Sequence, residues 1–168
     1  MDSKSDLRLK AKNIRKNLDL NFKSAEICAQ IRNLKIYQNA ENVMIYYPMR
    51  YEINLLDLLN DGKKFFLPKV FENDIIVCPY SSKFKKSSLN IYEPCSSAVN
   101  PEILDLIFVP ALMIDNHNYR LGYGGGYYDR FLNKYPEIYT ITPIAKELCV
   151  TNLPHEIFDI TIDSVVYS

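Results

Sequence analysis

Apolar residues recur at helical spacing through the first third of the chain. Leu7, Ala11, Ile14 and Leu18 form one stripe, which predicts a helix with that face turned inward. Lys4, Arg8, Lys12 and Arg15 recur on a neighbouring face. A second helix is predicted over residues 23–34, with Ile27 and Ile31 inward. Val43 to Tyr47 reads as a short buried strand ending at Pro48, and residues 55–60 as a helix closed by Asp61 and Gly62. Phe65 to Pro68 and Ile75 to Pro79 read as further strands. Residues 80–100, rich in Ser, Lys and Asn, read as a long surface loop. Leu104 to Val109 is the clearest buried strand, stopped by Pro110. A helix then runs to about Tyr135, followed by strands from Tyr139 toward Ala145 and from Asp163 to Tyr167. Strands alternating with helices predict an α/β domain with a largely parallel sheet. Ligands of such sheets bind beyond the carboxyl ends of the strands.

Composition narrows the class of partner. A chain of 168 residues suits one domain with a single sizeable core, spanning 1–168. Lys plus Arg equals Asp plus Glu, 20 against 20, so no global charge draws the chain to nucleic acid or an acidic membrane. Cys28, Cys78, Cys95 and Cys149 are scattered without a Cys-x-x-Cys pair, which argues for reduced thiols in the cytoplasm. The amino terminus is charged and lacks the apolar stretch of a signal peptide, and no apolar run is long enough to span a bilayer.

The candidate chemistry is concentrated in one place. Four of the five glycines, Gly122, Gly124, Gly125 and Gly126, lie in the run from Tyr119 to Arg130. Glycine serves where φ is positive or where something approaches the main chain closely. Successive N–H groups leading into a helix form a concave anion site. Arg120 on one flank and Asp129 on the other suggest phosphate plus a divalent metal. The window is not a Rossmann fingerprint, because the third required position is Tyr127 and no strand is predicted against Gly122. It is not a Walker A loop, because no Gly-Lys-Ser/Thr occurs.

Each candidate has an ordinary alternative. The window by itself also reads as a flexible turn. Asp129 alone serves equally well as a first-turn helix charge. Tyr128, Phe131, Leu132 and Tyr135 fall at core spacing, whereas Tyr127 lies off that stripe and is free to face a site. Asn118 suits a left-handed turn residue. Periodicity makes the basic stripe a solvated face, with a polyphosphate clamp at Lys4 and Arg8 as the alternative. Glu52 is either an ordinary helix-entry charge or a carboxylate that hydrogen-bonds a polar heterocycle. His117 and His155 have no partner motif, and no Gly-x-Ser-x-Gly elbow occurs.

With these residues in view, the chain resembles the 5-formyltetrahydrofolate cyclo-ligase family, also called 5,10-methenyltetrahydrofolate synthetases. The run from Arg120 to Asp129 is similar to the family signature almost throughout. Weaker matches are Lys4 to Arg8, Tyr47 through Glu52 and Ile53, Gly62 through Pro68, and Leu153 through Asp159 to Asp163. The resemblance implies a three-layer α/β/α sandwich and ATP- and Mg²⁺-dependent closure of 5-formyltetrahydrofolate to 5,10-methenyltetrahydrofolate, with ADP and phosphate released. It implies that Lys4, Arg8, Arg120, Leu121, Gly122, Tyr123, Gly124, Gly125, Gly126, Tyr127 and Tyr128 bind ATP. Tyr47, Glu52, Tyr123, Gly124, Gly125, Gly126 and Tyr127 would contact the folate. Asp129 and Asp163 would hold Mg²⁺, and Arg120 and Asp129 would be catalytic. Two positions depart from the pattern: Asn118 stands where glycine is usual, and Phe158 where many members have histidine. The partners expected are the folate and ATP, with no nucleic acid or membrane and at most a weak dimer. Competing readings are a folate- and nucleotide-binding regulator without turnover, a nucleic-acid module on the basic helix, and a small-molecule kinase with another acceptor.

Overall fold

The computed structural model describes residues 3–81, 83–87 and 92–168. Helix α1 (Lys4–Arg15) starts at a capping box: the Ser3 hydroxyl accepts from the Asp6 N–H, and Asp6 accepts from the Ser3 N–H. Helix α2 (Leu20–Arg32) begins earlier than its apolar stripe predicts, because Asp19 caps the Phe22 N–H at 3.1 Å. A short helix α3 (Lys35–Asn39) follows and leads to strand β1 (Asn42–Met44). Residues Leu56–Asn60 form a 3₁₀ turn that ends at Gly62, whose φ is +70°. Then come β2 (Lys64–Phe71) and β3 (Asp74–Pro79).

The stretch expected to be a long loop contains a hairpin instead, β4 (Phe84–Lys86) against β5 (Tyr92–Pro94). Its short strands lack an apolar alternation, which is why the pattern did not reveal them. Strands β6 (Leu106–Phe108), β7 (Met113–Asp115) and β8 (Arg120–Leu121) precede helix α4 (Tyr127–Lys134). Strands β9 (Tyr139–Ile144), β10 (Cys149–Val150) and β11 (Ser164–Tyr167) complete the order.

The main sheet has the order β11-β9-β6-β1-β2-β3, parallel throughout except for the antiparallel edge strand β3. Alternate residues of one strand serve opposite layers. Val43, Ile45, Phe65, Leu67, Leu106 and Phe108 pack with Ile27 and Ile31 of α2 and Tyr37 of α3. Met44, Phe66, Ile107 and Val109 pack with Phe131 and Leu132 of α4. Helices therefore cover both faces, as the three-layer expectation requires. A small sheet, β10-β7-β8, joins α1 through Leu7, Ala11, Met113, Ile114 and Leu121.

Strand β8 corrects one expectation: a strand does abut Gly122. It escapes a pattern reading because it is two residues long and, among the described residues, pairs with β7 alone.

Candidate functional site

A cleft of about 1150 Å³ opens beyond the carboxyl ends of β1 and β6, where Tyr46, Tyr47 and Pro110 reach its wall. This is the edge that a parallel sheet offers to ligands. The glycine window forms one wall, α1 another, and Pro68, Val70 and Ile75 of the β2–β3 pair an apolar third.

The turn before the window is held from below. Buried Asp115 accepts from the His117 N–H at 2.9 Å, the Tyr119 N–H at 3.0 Å and the Leu153 N–H at 2.9 Å. Asn118 takes the left-handed conformation expected of it, with φ +62°. Gly126 caps α4 at φ +65° with no side-chain hydrogen bond to the first helical N–H groups. Gly124 has φ +107°, and a Cβ there would meet the Arg8 guanidinium carbon at 3.4 Å. That is an ordinary contact distance, so the positive φ is what favours glycine there, with the Arg8 side chain lying alongside. Tyr127 is not simply turned to the site: it lines the cleft, packs partly against the α4 core, and carries the Arg130 guanidinium over its ring at 5.0 Å.

The basic stripe is not a uniform solvated face. Lys12 is exposed, but Lys4 and Arg8 line the cleft. Arg8 Nε donates to the Gly122 carbonyl at 2.9 Å, and Lys4 Nζ to Asp159 Oδ2 at 2.6 Å. Arg15 is buried outright, with 6% of its surface exposed. Its Nη1 donates to the Tyr123 hydroxyl at 2.9 Å and its Nη2 to the Ala111 carbonyl. Positions 4, 8, 11 and 15 share one side of the helix, so Ala11 in the apolar stripe was the signal that Arg15 turns inward.

Glu52 does not act as a solvated helix-entry charge. It is 7% exposed, accepts from the Met49 N–H at 2.7 Å through Oε2, and accepts from the Tyr123 hydroxyl through Oε1. Burial, and then the Glu52 charge, push the ionisation of the Tyr123 phenol far up, against the opposing pull of Arg15. Tyr47 is half-buried beside it, with its ring 5.2 Å from Phe84 and 5.4 Å from Tyr92. The unforeseen hairpin therefore supplies an aromatic wall.

Arg120 and Asp129 meet under the window. Arg120 Nη1 donates to Asp129 Oδ1 at 3.0 Å and to the Ile160 carbonyl at 3.1 Å, and the Ile160 N–H returns to Asp129 Oδ1 at 3.1 Å. Among the described residues no hydrogen bond engages Asp129 Oδ2. Asp163 is not brought to this place. It is absent from the cleft wall, and its Oδ2 accepts from the Thr140 N–H at 2.8 Å and the Thr140 hydroxyl at 2.7 Å. Among the described residues no group of three His, Cys, Asp or Glu side chains is arranged for a metal. Phe158 and Ile157 stand exposed on the rim, and His155 stacks on Tyr119 at 4.0 Å.

A three-layer α/β fold thus carries, at the carboxyl edge of its sheet, a glycine-walled cleft lined by both cations and carboxylates. The chain belongs to the 5-formyltetrahydrofolate cyclo-ligase family, which it matches over residues 1–168. It is 32% identical over 152 residues to the 5-formyltetrahydrofolate cyclo-ligase of Mus musculus, covering 78% of this chain and 75% of the relative. The Haemophilus influenzae cyclo-ligase is 27% identical, with 97% and 96% covered. The solved Aquifex aeolicus 5,10-methenyltetrahydrofolate synthetase superposes with a TM-score of 0.85 at 31% identity, covering 98% of this chain and 89% of that one.

Proposed function

We propose that the chain converts 5-formyltetrahydrofolate and ATP to 5,10-methenyltetrahydrofolate, ADP and phosphate. The observation that carries this reading is that one cleft joins a cationic, glycine-walled end at Lys4 and Arg8 to an acid-and-aromatic end at Glu52 and Tyr47. ATP phosphates suit the first end. The cradle there is made by residues 121–128 with Arg8 behind Gly124. The folate suits the second. Glu52 keeps a lone pair on each oxygen for paired N–H groups of a pterin ring, and Tyr47 and Tyr92 offer ring faces.

The chemistry asks for positioning more than for a nucleophilic side chain. The formyl oxygen takes the γ-phosphoryl group, and ADP leaves. The folate's N10 then attacks the activated carbon, phosphate departs with the former formyl oxygen, and N10 loses its proton. Lys4, Arg8 and the window N–H groups would hold the phosphates in line. Arg120 would keep Asp129 in place from behind. Mg²⁺ takes oxygen ligands and commonly keeps one or two carboxylates with substrate phosphates and water. Asp129 Oδ2 has that chemistry, so Asp129 would hold the ion, which when bound neutralises phosphate charge. Asp163, bound to Thr140 away from the cleft wall, would not share it in this arrangement. The free cysteines suit a reducing cytoplasm.

The test is an absorbance assay for the methenyl product with purified protein. Product is expected only with both ATP and Mg²⁺. Its absence under those conditions, or its formation without ATP, would overturn the reading.

A further inference from the structure

Arg15 does not line the cleft, yet it ends in a chain of hydrogen bonds that reaches Glu52 on the cleft wall. The direction of that chain is forced. A guanidinium can only donate, so the Tyr123 hydroxyl accepts from Arg15 Nη1 and must send its own proton onward. The acceptor is Glu52 Oε1, which as a carboxylate can only accept. The second nitrogen of the same rigid fork is bound to the Ala111 carbonyl, so the guanidinium plane cannot turn without breaking that bond. Glu52's other oxygen is anchored by its own turn, through the Met49 N–H.

We propose that Arg15 is a positioning residue that fixes Glu52 for the folate ring through the Tyr123 hydroxyl. The proposal rests on the reading of Glu52 as the folate carboxylate. A carboxylate as buried as Glu52 needs its charge compensated. The Arg15 cation supplies this one hydroxyl away, without occupying the lone pairs the ligand would use. A direct ion pair would have closed the site. A hydroxyl bridge polarised by the cation keeps it open and holds the carboxylate in one rotamer.

The experiment is a double-mutant cycle of Arg15→Lys and Tyr123→Phe, read by calorimetric Kd for 5-formyltetrahydrofolate and separately for ATP, beside turnover. Lysine keeps the charge but lacks the rigid fork that binds the Tyr123 hydroxyl and the Ala111 carbonyl together, and it spares the fold the unpaired Ala111 carbonyl that Arg15→Met would leave. Each single change should weaken folate binding by about tenfold, a charge-assisted bond's worth. The double variant should be no weaker than Tyr123→Phe alone. Arg15→Lys should leave ATP affinity within about twofold of wild type. Additive losses in the double variant, wild-type folate affinity in Arg15→Lys, or parallel losses for ATP and folate would each overturn the relay. Wild-type protein that binds folate but makes no product would instead overturn the assigned reaction and leave the cycle readable.

Discussion

Arg120 and Asp129 hold each other at 3.0 Å beneath the glycine window, with the Arg120 side chain only 3% exposed. Neither is a free surface charge. The guanidinium is locked by Asp129 and the Ile160 carbonyl together, so it braces the carboxylate from behind. Among the described residues no hydrogen bond engages the other oxygen of Asp129. The arrangement separates two roles that the signature run lumps together.

Asp129→Asn is expected to fold, since the amide oxygen can still accept from the Ile160 N–H. It loses the charge that would hold Mg²⁺. Turnover should fall by about 10²–10³, the scale of losing one electrostatic stabiliser, and the Mg²⁺ dependence should move to higher concentration. Wild-type rates at limiting Mg²⁺ would remove Asp129 from the site.

Arg8 and Lys12 sit one turn apart with different surroundings: Arg8 lines the cleft and Lys12 is exposed. Arg8→Ala should raise the KM for ATP about ten- to a hundredfold, and Lys12→Ala should leave it nearly unchanged. Equal small effects in steady-state kinetics would return the stripe to plain surface.

Asp159 gives a pH signature. Burial pushes its carboxyl up, but the Lys4 ammonium and the Glu156 N–H outweigh that and hold it below the ordinary value. A depressed pKa contributes stability above the unfolded value, near about 3.9, and that contribution is lost as pH falls through the folded value. Asp159→Asn should therefore flatten the acid limb of stability below about pH 4. Denaturant unfolding at pH 3 and pH 6 reads the difference. An unchanged acid limb would mean that the Lys4 contact is screened away.

Asn118 has φ +62°, where a β-carbon is costly and glycine is not. Asn118→Gly should be near neutral in thermal unfolding. Asn118→Val should cost about 1–3 kcal/mol and lower Tm by several degrees. Equal Tm values for the two variants would contradict the strained turn.

The layers were legible because they are made by long or strongly periodic segments. Alternation along residues 43–45, 65–67 and 106–109 places successive side chains on opposite faces, and the structure uses that division. The small pieces were not legible. Strands β7, β8 and β10 are three residues or fewer and are defined by their partners, not by a pattern. Asp115 likewise carries no local signal, since its three donors come from residues 117, 119 and 153. In the site, the glycine window could be read from residue type and spacing, whereas periodicity makes Arg8 part of a solvated stripe and only the family resemblance points it to the cleft. The inward turn of Arg15, the bridge from Tyr123 to Glu52 and the tie of Asp163 to Thr140 depend on distant packing.

The β4–β5 hairpin ends at an exposed cysteine, Cys95, whose neighbours Tyr92 and Glu93 line the cleft. The other thiols are poor nucleophiles at neutral pH. Burial, and then Asp57, push Cys28 up to about 11, and burial raises Cys78 and Cys149. Cys28 and Cys78 are buried and Cys149 is half-buried, so a thiol-reactive fluorophore is expected to label the native chain first at exposed Cys95, beside Tyr92. The protein carries its own attachment point for a dye that senses ligands entering the cleft, without any cysteine being removed or introduced.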